Sequence, residues 1–274
     1  MSPLGDDDVA IALDAVQGHA GIGRVVEVGT HAAGLADKRV LVGPFDPCGE
    51  CEVCRRGGAA VCPSARRRTA WPGRVIAAAR WVIVLGDGLD VPSPSGAAIP
   101  GDVALAYTLY ARTGAAPREP IVVTGAAPVT RFLVEILTAK GLTFAVHLGA
   151  PSPAWTSWLA AKGAPTATSA IELETYFAGA GLARRPWRVI ATSADSVPIA
   201  ADLSGPRATI TALAPFSSLP GELAAREVTV ITVAGAHPDL VVEAAAMCVK
   251  GEIDLAGGTA AEPTSDLRAL IELR

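Results

Sequence analysis

Four of the five cysteines, Cys48, Cys51, Cys54 and Cys62, fall within fifteen residues, whereas Cys248 is far away. A Cys-x-x-Cys spacing places two sulfurs on the same side of a tight turn, so these thiolates can converge on one tetrahedral ion. Two disulfides are the alternative, which a reducing compartment and so short a loop both disfavour. The pattern therefore predicts one structural Zn²⁺, with no open coordination position for catalysis.

A second candidate site follows an apolar segment, where Gly125-Ala126-Ala127-Pro128-Val129-Thr130 stands in the place of a Gly-x-Gly-x-x-Gly turn. Such a turn binds the pyrophosphate of a dinucleotide between a strand and a helix. The first glycine is present, but Ala127 and Thr130 replace the second and third, and Pro128 removes one N–H donor. The sequence thus predicts cofactor contacts at Gly125 and Ala127 while leaving dinucleotide binding open.

The next predicted strand ends at His147, without an Asp or Glu for an adenosine ribose. A protonated His147 could contact the 2′-phosphate of NADP, and the alternative is a histidine of a surface loop. His147 is therefore the third candidate cofactor residue.

The elements that must position these residues change in type along the chain. Short strands rich in Val and Ile are expected at 9–13, 24–28, 39–42 and 80–85, an irregular all-β unit that carries the cysteine loop. Beyond them, strands are expected at 120–124, 143–147, 188–192, 208–213 and 228–233, and helices at 102–113, 129–140 and 238–250. Alternating strands and helices predict an α/β fold with a Rossmann-like, doubly wound parallel sheet.

Composition limits the partners. The chain has 274 residues, of which 50% are hydrophobic and 18% charged, with a net charge of −4, so disorder and collagen-like repeats are excluded. The basic triplet Arg66–Arg68 is expected to be a solvated loop, so nucleic acid is not an expected partner. No apolar run reaches the ~18 residues of a membrane span, and Met1–Asp8 lacks the features of a secretory signal. We therefore expect a cytoplasmic protein that does not bind membranes.

Three stretches carry a family resemblance: Gly18 to Gly29, Lys38-Arg39-Val40, and Pro47 to Cys62. Their glycine, valine and cysteine spacing resembles the zinc-containing medium-chain alcohol dehydrogenases, and similarity continues through 102–114 and 249–253. Within that family, 181–190 and 102–107 are similar to 6-hydroxycyclohex-1-ene-1-carbonyl-CoA dehydrogenases.

The resemblance implies a GroES-like catalytic domain at 1–101 and 237–274, a Rossmann domain at 102–236, and a cleft holding NAD(P) and a second, catalytic zinc. It also implies a homodimer formed through the sheet edge at Val228–Val233.

The chain departs from the family at the catalytic zinc. The segment that carries the family's first cysteine ligand is missing, because the opening strand leads almost directly to Gly18-His19. His19 matches the histidine ligand but is followed by Ala20 rather than Glu, and Asp102 is the nearest candidate for the third ligand. Two ligands are poor support for a catalytic zinc, so His19 and Asp102 are candidate catalytic residues whose alternatives are a structural histidine and a helix cap.

Two functions remain open on these grounds. The first is NAD(P)H-linked reduction of an enoyl thioester, such as an acyl-CoA, or of a small carbonyl compound, which needs hydrogen-bond donors rather than a metal at the developing enolate. The second is a degenerate, non-catalytic member that keeps the fold and the structural zinc as a binding or assembly module.

Overall fold

The computed structural model describes residues 4–17, 20–68, 73–86, 91, 93–149, 153–213, 222–255 and 270–272. These residues form two compact units. Unit 1 contains residues 4–105, 236–255 and 270–272, and unit 2 contains the described residues between 106 and 235. Within the described ranges, no helix has both the length and the apolar character needed to cross a bilayer.

Unit 1 is built on an antiparallel sheet. Its strands are β1 (Asp8–Gln17), β2 (Ala20–Val28), β3 (Arg39–Val42), β6 (Arg74–Ala78), β7 (Val82–Val84) and β14 (Leu270–Glu272), while β4 (Phe45–Asp46) and β5 (Arg66–Arg67) form a separate hairpin. The order is β14-β1-β2-β3-β7, and β6 also pairs with β1. One face buries an aliphatic cluster that includes Val9, Ile11 and Val25, which explains the Val and Ile content of these strands.

The pair β1 and β2 is longer than the sequence predicts, with Val9 opposite Val28 and Gln17 opposite Ala20. Two register shifts interrupt the pairing. Near one of them, a Cβ on Gly23 would lie 2.1 Å from the carbonyl oxygen of Ala12. Glycine is therefore required there for the strands to approach.

The helices of unit 1 are short. They are α1 (Glu52–Arg55), α2 (Ser93–Gly96) and α9 (Val241–Val249), with 3-10 turns at Thr30–Leu35, Ala59–Val61, Ala79–Trp81 and Pro238–Leu240. The helix expected from Asp102 begins earlier, as a π-helical segment over Ile99–Val103, and continues as α3 (Ala104–Thr113). The strand expected over 80–85 is wrong at its start, because Ala79–Trp81 forms a 3-10 turn before β7.

Unit 2 has the predicted parallel sheet. Its strands are β8 (Ile121–Thr124), β9 (Phe144–His147), β10 (Thr166–Ala167), β11 (Arg188–Ala191), β12 (Thr209–Leu213) and β13 (Thr229–Val233), and its helices are α4 (Pro128–Ala139), α5 (Pro153–Ala161), α6 (Ala170–Gly179), α7 (Val197–Leu203) and α8 (Glu222–Ala225). The strand order is β10-β9-β8-β11-β12-β13. The chain direction across the sheet reverses between β8 and β11, and such a switch point is where open α/β sheets bind ligands at the carboxyl ends of the strands.

Candidate metal centre and cofactor turn

The four clustered cysteines converge. Their Sγ atoms all lie within 4.8 Å of one another, with separations of 3.5 Å between Cys48 and Cys62, 3.9 Å between Cys51 and Cys62 and 4.0 Å between Cys48 and Cys54. A tetrahedral Zn²⁺ with Zn–S bonds of about 2.3 Å holds its sulfurs about 3.8 Å apart. The donor set and the spacing therefore fit zinc.

Backbone N–H groups point at these sulfurs. The N–H of Cys51 donates to Sγ of Cys48, that of Cys54 to Sγ of Cys51 and that of Cys48 to Sγ of Cys62, each at 3.4 Å. Hydrogen bonds from the Glu50 and Cys51 backbone lower the pKa of Cys48 to about 6. Partial burial, reinforced by the neighbouring thiols, raises the pKa of Cys54 to about 12. The metal-free cluster is thus partly ionised at neutral pH, and zinc must displace the proton of Cys54.

Groups outside the loop hold its backbone. The guanidinium of Arg80 donates to the carbonyl oxygen of Cys48, and Nε1 of Trp81 donates to that of Pro47 at 2.7 Å. On the other side, Nε2 of His237 lies 2.6 Å from the carbonyl oxygen of Gly57. Sequence reasoning missed these contacts, because nothing local marks a residue that hydrogen-bonds to a distant carbonyl.

The basic triplet is not the solvated loop that was expected. The carboxylate of Asp46, which is 5% exposed, accepts from Nε of Arg66 at 3.1 Å, from Nη2 of Arg66 at 2.9 Å, from Nη2 of Arg68 at 2.7 Å and from the N–H of Ala78 at 3.0 Å. The Arg68 side chain is 6% exposed and also donates to the carbonyl oxygen of Gly43. The solvated-loop expectation is therefore wrong for Arg68, because a carboxylate far away in the sequence neutralises it.

The structure describes one of the two candidate catalytic residues. His19 lies outside the described residues. Asp102 is half-buried in the π-helical segment Ile99–Val103. Within the described ranges, the potential metal ligands that converge are the four clustered cysteines. Asp102 does not belong to this cluster.

The turn after β8 keeps part of a nucleotide-binding geometry. Gly125 has φ of +99°, and a Cβ there would lie 2.7 Å from Oγ1 of Thr192. Ala127 is the N-cap of α4 in an extended conformation, with no side-chain cap, and Pro128 begins the helix. The start of α4 therefore presents backbone N–H groups that no capping side chain satisfies.

Hydroxyl groups fill the position of the third glycine. Oγ1 of the fully buried Thr130 lies 2.8 Å from Oγ1 of Thr192, which donates to the carbonyl oxygen of Thr124 at 2.9 Å. These bonds join α4 to the carboxyl ends of β8 and β11. A glycine would allow close packing here, whereas this chain uses a hydrogen-bonded hydroxyl pair.

His147 does not present a charge at the end of β9. Its ring is 7% exposed, and Nδ1 accepts the N–H of Gly149 at 3.2 Å. Burial lowers the pKa of His147 below its usual 6.5, although a backbone hydrogen bond with Thr168 opposes the shift. The imidazole is therefore neutral at pH 7 and is poorly suited to contact a 2′-phosphate as a cation.

The first part of the chain is similar to a known domain family. Residues 5–89 match the family model of the alcohol dehydrogenase GroES-like domain. The match covers β1 to β7 and the cysteine cluster, and the antiparallel sheet has the GroES-like fold that was predicted. A search of curated proteins gives no match.

Solved structures share the fold over nearly the whole chain. An alcohol dehydrogenase from Thermus sp. ATN1 has a TM-score of 0.81 and 15% identity, over 93% of this chain and 85% of its own. A short chain alcohol dehydrogenase from E. coli CFT073, complexed with NADH, has a TM-score of 0.78 and 17% identity, over 93% and 84%. A putative zinc-binding dehydrogenase from Clostridium scindens has a TM-score of 0.79 and 15% identity, over 100% and 92%. The combination of a GroES-like and a Rossmann-like sheet is confirmed.

Proposed function

We propose that this chain is an oxidoreductase of the medium-chain dehydrogenase/reductase type, which transfers hydride from NAD(P)H to an enoyl thioester or a carbonyl compound without a catalytic zinc. The observation that carries the proposal is the position of Gly125 and the N-terminus of α4 beside the switch point of a Rossmann-ordered sheet. The dehydrogenase folds of the similar structures support the same chemistry.

The residues of the turn fit the phosphates of a dinucleotide through backbone groups. In the first turn of α4, Pro128 has no N–H and the N–H of Thr130 bonds to the carbonyl oxygen of Ala127, so the N–H of Val129 and the positive end of the helix dipole would face the pyrophosphate, while Gly125 keeps the turn open. A bound nicotinamide would supply hydride. Because burial lowers the pKa of His147, its ring contributes no positive charge that would select NADP over NAD.

Reduction of an enoyl thioester does not require a catalytic metal ion. It therefore fits a chain whose candidate ligands for a catalytic zinc are His19 and Asp102. Hydride arrives at the β carbon, negative charge develops on the thioester oxygen, and hydrogen-bond donors stabilise that oxygen. We propose His19 as a residue that donates a hydrogen bond to this oxygen. Asp102 is proposed as a group that positions the substrate or holds a proton. An acyl-CoA is the substrate class that follows.

Cofactor binding tests the proposal. NADH and NADPH are titrated into the purified chain while nicotinamide fluorescence is followed, with Ala127→Asp as the disabling variant and Ala127→Asn as its matched control. Both side chains cap α4 and stabilise it by about 0.5–2 kcal/mol relative to Ala. Asp adds a negative charge beside the phosphates and is expected to weaken binding at least about tenfold relative to Asn. Equal affinities in the two variants would place the cofactor elsewhere.

We also propose that the cysteine cluster binds one structural Zn²⁺, whose ligands would be Cys48, Cys51, Cys54 and Cys62. Four thiolates complete the coordination shell, so the ion would stabilise the loop rather than bind substrate. Elemental analysis should give one zinc per chain, and Cys62→Ser should lower the zinc content. Zinc thiolates favour a reducing compartment, which supports a cytoplasmic location.

The buried hydroxyl pair of Thr130 and Thr192 favours the second candidate, a non-catalytic binding or assembly module. The pair occupies the position where a dinucleotide turn has glycine, and it satisfies its own hydrogen bonds without a ligand. One zinc per chain with no binding of either nucleotide up to millimolar concentration would support the module and refute the reductase.

A homodimer through β13 is the proposed assembly for either function. Within the described residues β13 pairs with β12 alone, so its outer edge is free to pair with a second copy. Thr232 on this strand is exposed. Thr232→Lys should therefore fold normally and shift the protein towards monomer in sedimentation velocity, and an unchanged dimer would exclude this edge.

A further inference from the structure

We propose that His237 is a positioning residue for the cysteine cluster, and that zinc bound there fastens helix α9 to the metal loop. The inference rests on the zinc centre proposed above. It concerns two segments of unit 1 that are far apart in sequence, since Gly57 and His237 are separated by 180 residues.

The contact between these segments is short and partly buried. Nε2 of His237 lies 2.6 Å from the carbonyl oxygen of Gly57, and the residue is 9% exposed. Because a carbonyl oxygen only accepts, Nε2 carries the proton of this hydrogen bond. Nδ1 faces Asp239 Oδ2 at 3.5 Å. The hydrogen bond from Nε2 to Gly57 is therefore the contact that fixes the ring against the metal loop.

One end of the contact belongs to the metal loop. Gly57 follows α1 directly, with φ of +79° and its N–H bonded to the carbonyl oxygen of Cys54. Movement of the Gly57 carbonyl therefore displaces the turn that carries Cys54.

The other end is the beginning of α9. His237 is the N-cap of the 3-10 turn Pro238–Leu240, and its carbonyl oxygen accepts the N–H of Leu240 at 3.0 Å. The helix starts at Val241. Fixing the ring of His237 thus fixes the first turn of this C-terminal segment.

The opposite side of the loop has its own attachment. Arg80 and Trp81 bond to the carbonyl oxygens of Cys48 and Pro47. Arg80, Trp81 and Pro238 also line one cavity of about 360 Å³. A zinc ion that joins Cys48 to Cys54 would connect both attachments through two metal–sulfur bonds.

Thermodynamic linkage makes the effect reciprocal. If bound zinc stabilises the contact between His237 and Gly57, loss of that contact weakens zinc binding by the same factor. Gly57 is exposed, so water can replace the lost donor and the effect is that of one ordinary hydrogen bond. A two- to tenfold change, about what such a bond contributes, is the expected size.

The test compares the full chain in its zinc-loaded and chelator-stripped, reduced forms. Hydrogen–deuterium exchange is followed in peptides covering 241–249, and zinc affinity is measured from the equilibrium distribution of zinc between the protein and 4-(2-pyridylazo)resorcinol. His237→Phe removes the donor, His237→Gln restores one, and His31→Phe is the matched control, since His31 is an exposed histidine of the same unit.

We expect zinc removal to speed exchange in α9 of the unmodified chain about two- to tenfold. We also expect His237→Phe to weaken zinc binding by a similar factor, with His237→Gln intermediate and His31→Phe unchanged. Equal exchange in α9 with and without zinc would overturn the inference even if a variant failed to fold. A purified chain without zinc would refute the metal centre itself, whereas zinc with unlinked exchange would refute only the role of His237.

Discussion

Replacing Asp46 with alanine should be among the most damaging single changes in unit 1. The carboxylate is buried and accepts four hydrogen bonds, three of them from Arg66 and Arg68. Arg68 is itself buried, and within the described residues its Nε has no hydrogen-bond partner, so removing Asp46 strands a positive charge. Breaking a buried pair in this way costs about 3–5 kcal/mol. At about 2–4 °C per kcal/mol, the melting temperature should fall by roughly 6–20 °C.

The source of that cost can be isolated with a second substitution. If the stranded charge is responsible, Asp46→Ala combined with Arg68→Met should be more stable than Asp46→Ala alone, by an amount that urea unfolding of the zinc-loaded protein resolves. Asp8→Ala is the control, because Asp8 pairs with the same Arg66 at a more exposed position, where such pairs contribute about 1 kcal/mol or less. A loss below about 1 kcal/mol in Asp46→Ala, or a further loss on adding Arg68→Met, would refute the reasoning.

Three other predictions concern unit 2. Gly125→Ala should lower the free energy of unfolding by more than about 1 kcal/mol, because φ is positive and the new Cβ meets Thr192 Oγ1 at 2.7 Å; unchanged thermal unfolding would contradict it. Since burial lowers the pKa of His147 below 6.5, the unfolded chain binds the extra proton first, so stability should fall as pH drops below about 6.5, and His147→Gln should flatten that dependence in urea titrations at pH 5 to 7.5. Arg188→Met should cost about 1–3 kcal/mol by removing a two-point contact with Glu119, at 2.9 and 3.1 Å, while cofactor affinity stays constant; a parallel loss of cofactor binding would argue against a purely structural pair.

The parallel sheet could be predicted from the sequence because residues within and next to each strand mark that strand. Strands such as Ile121–Thr124 are short aliphatic segments bounded by glycine or helix signals, and the structure places them within a residue of the prediction. Helices α5 and α6 were not predicted, because segments with low amphipathic contrast give a weak periodic signal.

The metal loop was predictable for a similar reason, whereas its supports were not. Four cysteines at this spacing are typical of a single metal site, so Cys48 to Cys62 can be grouped from the sequence. The hydrogen bonds from Trp81 and His237 depend on how distant segments pack, and the type of either residue does not identify the carbonyl oxygen that it contacts. The charge of Arg68 was misjudged because its neutralising carboxylate lies 22 residues away.

The turn after β8 could be predicted only in part. The missing glycines were visible at Ala127 and Thr130, and they predicted an altered site. What replaces them was not visible, because the Thr130 hydroxyl finds its partner 62 residues away, on Thr192. The fold shows that Thr130 is accommodated at the glycine position by this hydrogen bond.

The discontinuity of unit 1 has a consequence for synthesis. The described residues of unit 2 form one stretch of chain between 106 and 235, whereas unit 1 needs α9 from beyond residue 236 to complete its contacts. At roughly 5–20 residues per second, the ribosome delivers α9 seconds after β1 to β7 have emerged. During that interval the cysteine loop exists without His237, and its attachment to α9 can form only after the described residues of unit 2 have been synthesised.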